Sequence, residues 1–329
     1  MNEDLVHFER MAKMVSSVKE FYILITVLDN GIFESFREPK SAEEVANELG
    51  LNSRILKKIL KALVSMGYLK EANGKFFLSE GSKKYFLSTS PLYQGNLLIL
   101  NRKTIEERFS KLSNALRNGS PGYWFVPSIF DKKFILAMKE GAVRWDLPKT
   151  IEVLSGIPDF WNAKKLLDLG GGHGLYAKEF KRLNTGIEVF IFDLPHVIEI
   201  ARELVGDGIN FIAGDFTKDD IGSGYDIVFA SDVFYRAAED LKKILGKIRE
   251  SLNSEGLLIS KHWHIDDIKN DQTALLFDLM FSIFCEEDRV YSTPEFCEML
   301  KETGFKIEEI FDISSSFSPS KIIIARRLR

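Results

Sequence analysis

One stretch constrains this chain more than any other: Lys165-Leu166-Leu167-Asp168-Leu169-Gly170-Gly171-Gly172-His173-Gly174-Leu175-Tyr176. A short apolar run ending in glycines reads as a buried strand that turns sharply, and the residues after Gly174 read as the start of a helix. A strand, turn and helix in that order bring unpaired backbone N–H groups and a close backbone approach to one place, which suits a nucleotide-like ligand. Counted from Gly170, the glycines fall as G-x-G-x-G, with Gly172 and Gly174 completing the set. The third glycine of the dinucleotide fingerprint is due at position 175, which is leucine, so a nicotinamide or flavin dinucleotide is disfavoured.

The following segments extend the pattern. Residues 188–193 form an apolar strand ending in Asp193, about 20 residues past the glycines, where an acceptor for a ribose diol is expected. A third strand over 209–214 ends in Asp215-Phe216, and a fourth over 225–230 ends in Ser231-Asp232. Polar residues at the carboxyl ends of successive strands line one crevice. Residues 256–260 read as a fifth strand, and 305–310 and 321–325 as a closing hairpin, with helices over 239–252, over 278–284 and from Thr293 to near Gly304. The expected fold class is α/β: a mostly parallel seven-stranded sheet with one antiparallel edge strand.

Upstream of position 150 the periodicity changes. Residues 5–33 read as helices, Ser41-Ala42-Glu43-Glu44 is a capping box, and Asn52-Ser53 opens a helix with Ile55, Ile59, Leu60, Leu63 and Val64 at helical spacing. Two short runs flanking Asn73-Gly74 read as a hairpin, so residues 1–90 are expected to form a mainly α winged-helix domain. Residues 91–150 read as a helical linker. It holds the loop Gly119-Ser120-Pro121-Gly122, the aromatics Tyr123, Trp124 and Phe125, and a helix from Phe130 on which Phe134, Met138 and Trp145 lie near one face. Residues 151–329 then form the ligand-binding domain.

Composition narrows the class. Against 48 acidic residues stand 44 basic ones, and the net charge of -4 gives no general attraction to nucleic acid or anionic lipid. No apolar run approaches a membrane span and the opening Met1-Asn2-Glu3-Asp4 is unlike a signal peptide, so neither a membrane nor a nucleic-acid partner is expected and the expected compartment is the cytoplasm. Cys285 and Cys297 lack metal-ligand spacing, and no metal site is expected.

The motifs resemble those of the class I S-adenosylmethionine-dependent methyltransferases, and within them the small-molecule O-methyltransferases related to caffeate and hydroxyindole enzymes. The stretches that carry the resemblance are residues 168–174, Phe192-Asp193-Leu194-Pro195-His196-Val197-Ile198, Gly214-Asp215-Phe216, Phe277-Asp278-Leu279-Met280 and Thr293-Pro294-Glu295-Phe296. It implies S-adenosylmethionine as cofactor, held by Gly170, Gly172, Gly174, Asp193, Leu194, Asp215, Phe216 and Ser231, and a small, flat acceptor met by Met138, Asp232, Phe281 and Phe284. It also implies a homodimer, with the winged-helix module as dimerisation domain and the linker covering the active site.

The chemistry asks for alignment of acceptor and methyl, exclusion of water and, for a hydroxyl nucleophile, removal of a proton. In the family that task belongs to a histidine after the fourth strand; this chain has Tyr235, with Arg236 after it, and Val290 where the family has a glutamate. Phenol is a poor base at neutral pH. The candidate catalytic groups are therefore Tyr235 together with His262 and His264 at the end of the fifth strand. O-methylation is the first expectation; loss of the histidine raises carbon methylation or a repurposed cofactor-binding member, and a ligand-sensing DNA regulator built on the winged helix, with Lys57, Lys58 and Lys61 toward DNA, is the reading from another class.

Overall fold

The computed structural model describes residues 3–122 and 129–329; Tyr123, Trp124 and Phe125 lie outside the described residues. The chain divides into two compact units, Met1–Arg102 and Lys103–Arg329.

The first unit begins with a long helix, Glu3–Asp29, followed by the helices Ala42–Leu49 and Ser53–Ser65 and the antiparallel pair β1 (Leu69–Ala72) and β2 (Lys75–Leu78). Ser41 caps the second helix by accepting from the Glu44 N–H while the Glu44 carboxylate accepts from the Ser41 N–H, the reciprocal box its sequence announces. Leu56, Leu60 and Leu63 from the third helix join Phe33, Phe36, Val45 and Phe76 in one core. A short helix, Ile32–Ser35, lies between the long helix and Ala42–Leu49, and the β1–β2 hairpin follows the helix Ser53–Ser65 directly.

The second unit is built on seven strands: β3 (Lys165–Leu169), β4 (Glu188–Asp193), β5 (Asn210–Ala213), β6 (Tyr225–Ser231), β7 (Leu252–Trp263), β8 (Phe305–Asp312) and β9 (Ser320–Arg327). Their lateral order is β5-β4-β3-β6-β7-β9-β8. All neighbours from β5 to β7 pair parallel, whereas β9 runs antiparallel to both β7 and β8. The fold class is the one expected, with the reversed strand one place in from the edge. The hairpin explains it: β9 returns between β7 and β8, leaving β8 outermost.

Both faces of the sheet are covered, so its strands are apolar at successive positions. Leu166, Ile227 and Phe229 pack on one side with Tyr176, Phe180 and Ile198, while Leu167, Leu169, Val228 and Ala230 pack on the other with Leu241, Ile244, Ile248 and Phe296. From β3 the chain steps outward to β4 and β5 and then returns to β6 on the far side of β3, which makes the carboxyl ends of β3 and β6 the switch point where a ligand crevice opens. Among the described residues no helix is long and apolar enough to cross a membrane.

Candidate active site

The glycine turn leaves β3 and enters the helix Leu175–Leu183. Gly170, Gly172 and Gly174 all have left-handed φ angles, +67°, +52° and +70°. A side chain at Gly170 would meet Val233 Cγ1 at 2.7 Å, and one at Gly174 would meet Val205 Cγ1 at 2.7 Å, so these two glycines let the turn lie flat on its neighbours. Gly172 differs, since the nearest atom to a side chain there is the Gly170 carbonyl oxygen at 3.9 Å; the middle of the turn opens onto free space. His173 is buried within the turn, its Nδ1 accepts from the Leu175 N–H at 3.1 Å, and burial lowers its pKa to about 4. It shapes the loop as a neutral ring.

Asp193 ends β4 beside that opening. Its Oδ2 accepts from the Gly172 N–H at 2.8 Å and its Oδ1 from the Leu194 N–H at 2.7 Å, which leaves acceptor capacity on each oxygen for a diol. Burial raises its pKa to about 6, the two backbone donors working against the rise. The carboxylate at a strand end, the open glycine turn and the helix N-terminus together fit the adenosyl part of S-adenosylmethionine. Leu194 caps the helix Pro195–Val205. Asp215 is turned inward on its own loop: Oδ1 accepts from the Thr217 N–H and hydroxyl, and Lys218 lies 3.2 Å from Oδ2. Phe216 packs against the core, with its ring 3.5 Å from where a Gly170 side chain would begin.

Past β6 the chain passes close to the glycine turn at Val233 and then reaches Tyr235. Tyr235 is buried; its hydroxyl donates to Asp232 Oδ1 at 2.7 Å and accepts from the Trp263 N–H at 2.8 Å. Burial first, and then the Asp232 charge, push its pKa well above the ordinary phenol value, so the proton stays on oxygen. Tyr235 stacks on Phe281 at 5.4 Å and shares an apolar cluster with Val290, Trp263, Phe277 and Met280. The two positions at which the family carries a histidine and a glutamate, Tyr235 and Val290, are thus brought together, but as packing.

The two histidines of β7 and its end are likewise engaged inside the protein. His262 Nε2 accepts from the N–H groups of Val233 at 2.9 Å and Phe234 at 3.1 Å, which assigns the ring proton to Nδ1, 2.8 Å from Ser260 Oγ. Burial lowers its pKa to about 3, and its ring stacks on Phe234 at 4.7 Å. His264 Nδ1 lies 3.1 Å from the Tyr291 carbonyl oxygen, and its buried Nε2 has no hydrogen-bond partner. A cavity of about 10 Å³, lined among others by His264, Tyr235 and Phe296, lies beside them and has room for about one water.

Of the remaining acceptor-side residues, Met138 on the helix Lys132–Arg144 is 37% exposed, although Ile135 and Ala142, its neighbours one turn away on the same side, are buried. Phe281 faces Tyr235, whereas Phe284 lines a different cleft of about 320 Å³ with Lys111, Asn118 and Ser120. Asp232 has a left-handed φ of +56° and holds three partners: Tyr235, Ser231 and Lys261. Burial alone would raise its pKa, but Lys261 and then His262 bring it below the ordinary carboxylate value. Lys261, and the Asp146 that pairs with it, are residues sequence reasoning missed. The available signal was a charge two residues past the apolar run Leu257-Leu258-Ile259 in the same strand, since a buried lysine needs a fixed partner.

Comparison with known proteins agrees with this geometry. Residues 128–306, more than half of the chain, match the family model of the O-methyltransferase domain. An uncharacterised protein of Methanocaldococcus jannaschii is 29% identical, with 96% of this chain and 95% of that protein covered. The 3-hydroxy-5-methyl-1-naphthoate 3-O-methyltransferase of Streptomyces sahachiroi is 24% identical over 85% of this chain and 84% of its own. Among solved structures, human N-acetylserotonin methyltransferase in complex with SAM superimposes with a TM-score of 0.85 at 20% identity, covering 100% of this chain and 99% of that one. Matched by the family model over β3 to β7 and the crevice at their carboxyl ends, the chain belongs to the O-methyltransferase domain family, the S-adenosylmethionine-dependent methyltransferases that its motifs resemble.

Proposed function

We propose that this protein transfers a methyl group from S-adenosylmethionine to a small, flat acceptor without a histidine base. The observation that carries the reading is the packing of Tyr235 against Phe281 and Val290, which turns the family's base position into a wall. S-adenosylmethionine, when bound, supplies a methyl group on a sulfonium, already a strong electrophile. The residues that would hold it are Gly170, Gly172 and Gly174, Asp193 and Leu194, Phe216 and Asp215 on the adenine side, and Ser231 at the end of β6. Asp232 and Phe281 are the acceptor side, with Met138 as a further contact, and their work is to orient the acceptor and exclude water; Phe284, in its separate cleft, is left out of it.

His262 and His264 take structural roles in this reading, because three of their four ring nitrogens lie within hydrogen-bonding distance of groups inside the fold. Oxygen of an already acidic hydroxyl is the first acceptor atom. A carbon activated by its own ring is the second reading, favoured by the same absence of a base, since it too needs only positioning. The first unit serves as a dimerisation module; the Lys57 ammonium lies 3.9 Å from Glu43, which tempers its charge for DNA. The protein works in the cytoplasm.

The test is formation of S-adenosylhomocysteine with a panel of ring hydroxyls and electron-rich ring carbons, run on the parent and on Tyr235→Phe. With the best acceptor, Tyr235→Phe keeps turnover within about threefold, because a general base is worth about 10²–10⁴-fold and the phenol is not one. A hundredfold loss of turnover with the variant still folded contradicts the reading.

A further inference from the structure

Strand β7 carries a charge where its pattern asks for an apolar side chain. Lys261 is 1% exposed, and its ammonium lies 3.0 Å from Asp146 Oδ2 and 2.6 Å from Asp232 Oδ2. Asp146 is fixed from behind, its Oδ1 accepting from Ser318 Oγ at 2.8 Å, and Ser318 in turn lies 3.0 Å from Ser320 Oγ on β9. On the other side the Asp232 N–H donates to the Lys261 carbonyl at 2.9 Å, which pins the left-handed turn at the end of β6. A buried ammonium is costly unless its partners are rigid, and a non-glycine residue at positive φ persists only where its surroundings hold it. Here each condition meets the other.

Two carboxylates against one ammonium leave the group with one net negative charge. Asp232 is its outward member, with a side chain 37% exposed against 13% for Asp146. Oδ2 of Asp232 already serves Lys261 and Ser231, but among the described residues Oδ1 accepts only from Tyr235 and retains one acceptor position. Val233, the next residue, touches the glycine turn, and Tyr235, the partner of Oδ1, belongs to the aromatic wall with Phe281.

We propose that Lys261 is a positioning residue for acceptor recognition, holding the Asp232 carboxylate charged and turned into the crevice so that the site selects ring acceptors bearing a hydrogen-bond donor, above all a cationic nitrogen. The proposal rests on the methyltransferase reading. Its test uses protein saturated with S-adenosylhomocysteine and two probes of equal ring size, 1-naphthylmethylammonium and 1-methylnaphthalene, with binding followed by calorimetry. In the parent the ammonium probe binds at least tenfold tighter. In Lys261→Met and in Asp232→Asn that gap falls below threefold while S-adenosylhomocysteine affinity stays within twofold, and Lys261→Arg recovers most of it. A gap that survives in folded Asp232→Asn, or no gap in the parent, including binding of neither probe, overturns the proposal. Failure of S-adenosylhomocysteine to bind the parent overturns the methyltransferase reading beneath it.

Discussion

Asp168 at the end of β3 is 1% exposed, and its Oδ2 has no hydrogen-bond partner. Burial first, and then the charge of Asp193, raise its pKa to about 8, so the folded protein holds a proton there that the unfolded chain gives up near pH 4. Between those values folding takes up a proton. The contribution is therefore fully present below about pH 4 and is lost as pH rises toward 8, at about 1.4 kcal/mol per pH unit for the one proton Asp168 carries. Thermal unfolding followed from pH 5 to pH 8 should show the parent losing stability relative to Asp168→Asn as pH rises, the buried neutral histidines contributing equally to both; equal slopes in the two proteins contradict this. The residues legible in the sequence were those with a local pattern: the glycines, and Asp193 at a fixed distance from them. Asp232 was legible as a strand end. Its link to Lys261, 29 positions away, and to Asp146, 115 positions from Lys261, exists only once β6 and β7 are neighbours and the helix Asp146–Ser155 is docked. Pairing of that kind leaves no trace in periodicity.

At the scale of elements, caps and turns carried the most information. The capping box at Ser41, the hairpin at Asn73-Gly74 and the proline-led helix after Ser292 are all present, because each depends on hydrogen bonds among residues fewer than ten apart in the chain. The extent of β7 was harder to see. It runs over Leu252–Trp263 rather than 256–260, and its pairing with β6 shifts register between Tyr225 and Ile227, where Asn253, Ser254 and the left-handed Glu255 interrupt any apolar pattern. The place of β9 was also hidden, since lateral order depends on which strand edge is still unpaired when the hairpin closes. The same holds for Tyr235: its identity signalled a lost base, but only the packing of β6, β7 and the helix Gln272–Ser282 shows the vacated place filled by Phe281 and Val290.

For the whole molecule, the long first helix leaves Phe8, Met11, Val15, Val18 and Tyr22 exposed, Phe8 by 64%. Their spacing of three and four residues is that of a helix-pairing seam, and five such side chains in water are a liability unless a second copy covers them. Light scattering should give the mass of a dimer for the parent and of a monomer for the double variant Met11→Glu, Val15→Glu, with the thermal transition of the sheet unit retained. A monomeric parent contradicts the dimer. Ligand binding in the crevice at the ends of β3, β4 and β6 is measured by calorimetric titration with S-adenosylmethionine and S-adenosylhomocysteine, with NAD as control. Saturable one-to-one binding of both sulfur ligands, none of NAD, and at least a tenfold loss of affinity in Asp193→Ala is the predicted result. No binding of either sulfur ligand to the folded parent, or binding unaffected by Asp193→Ala, would contradict it.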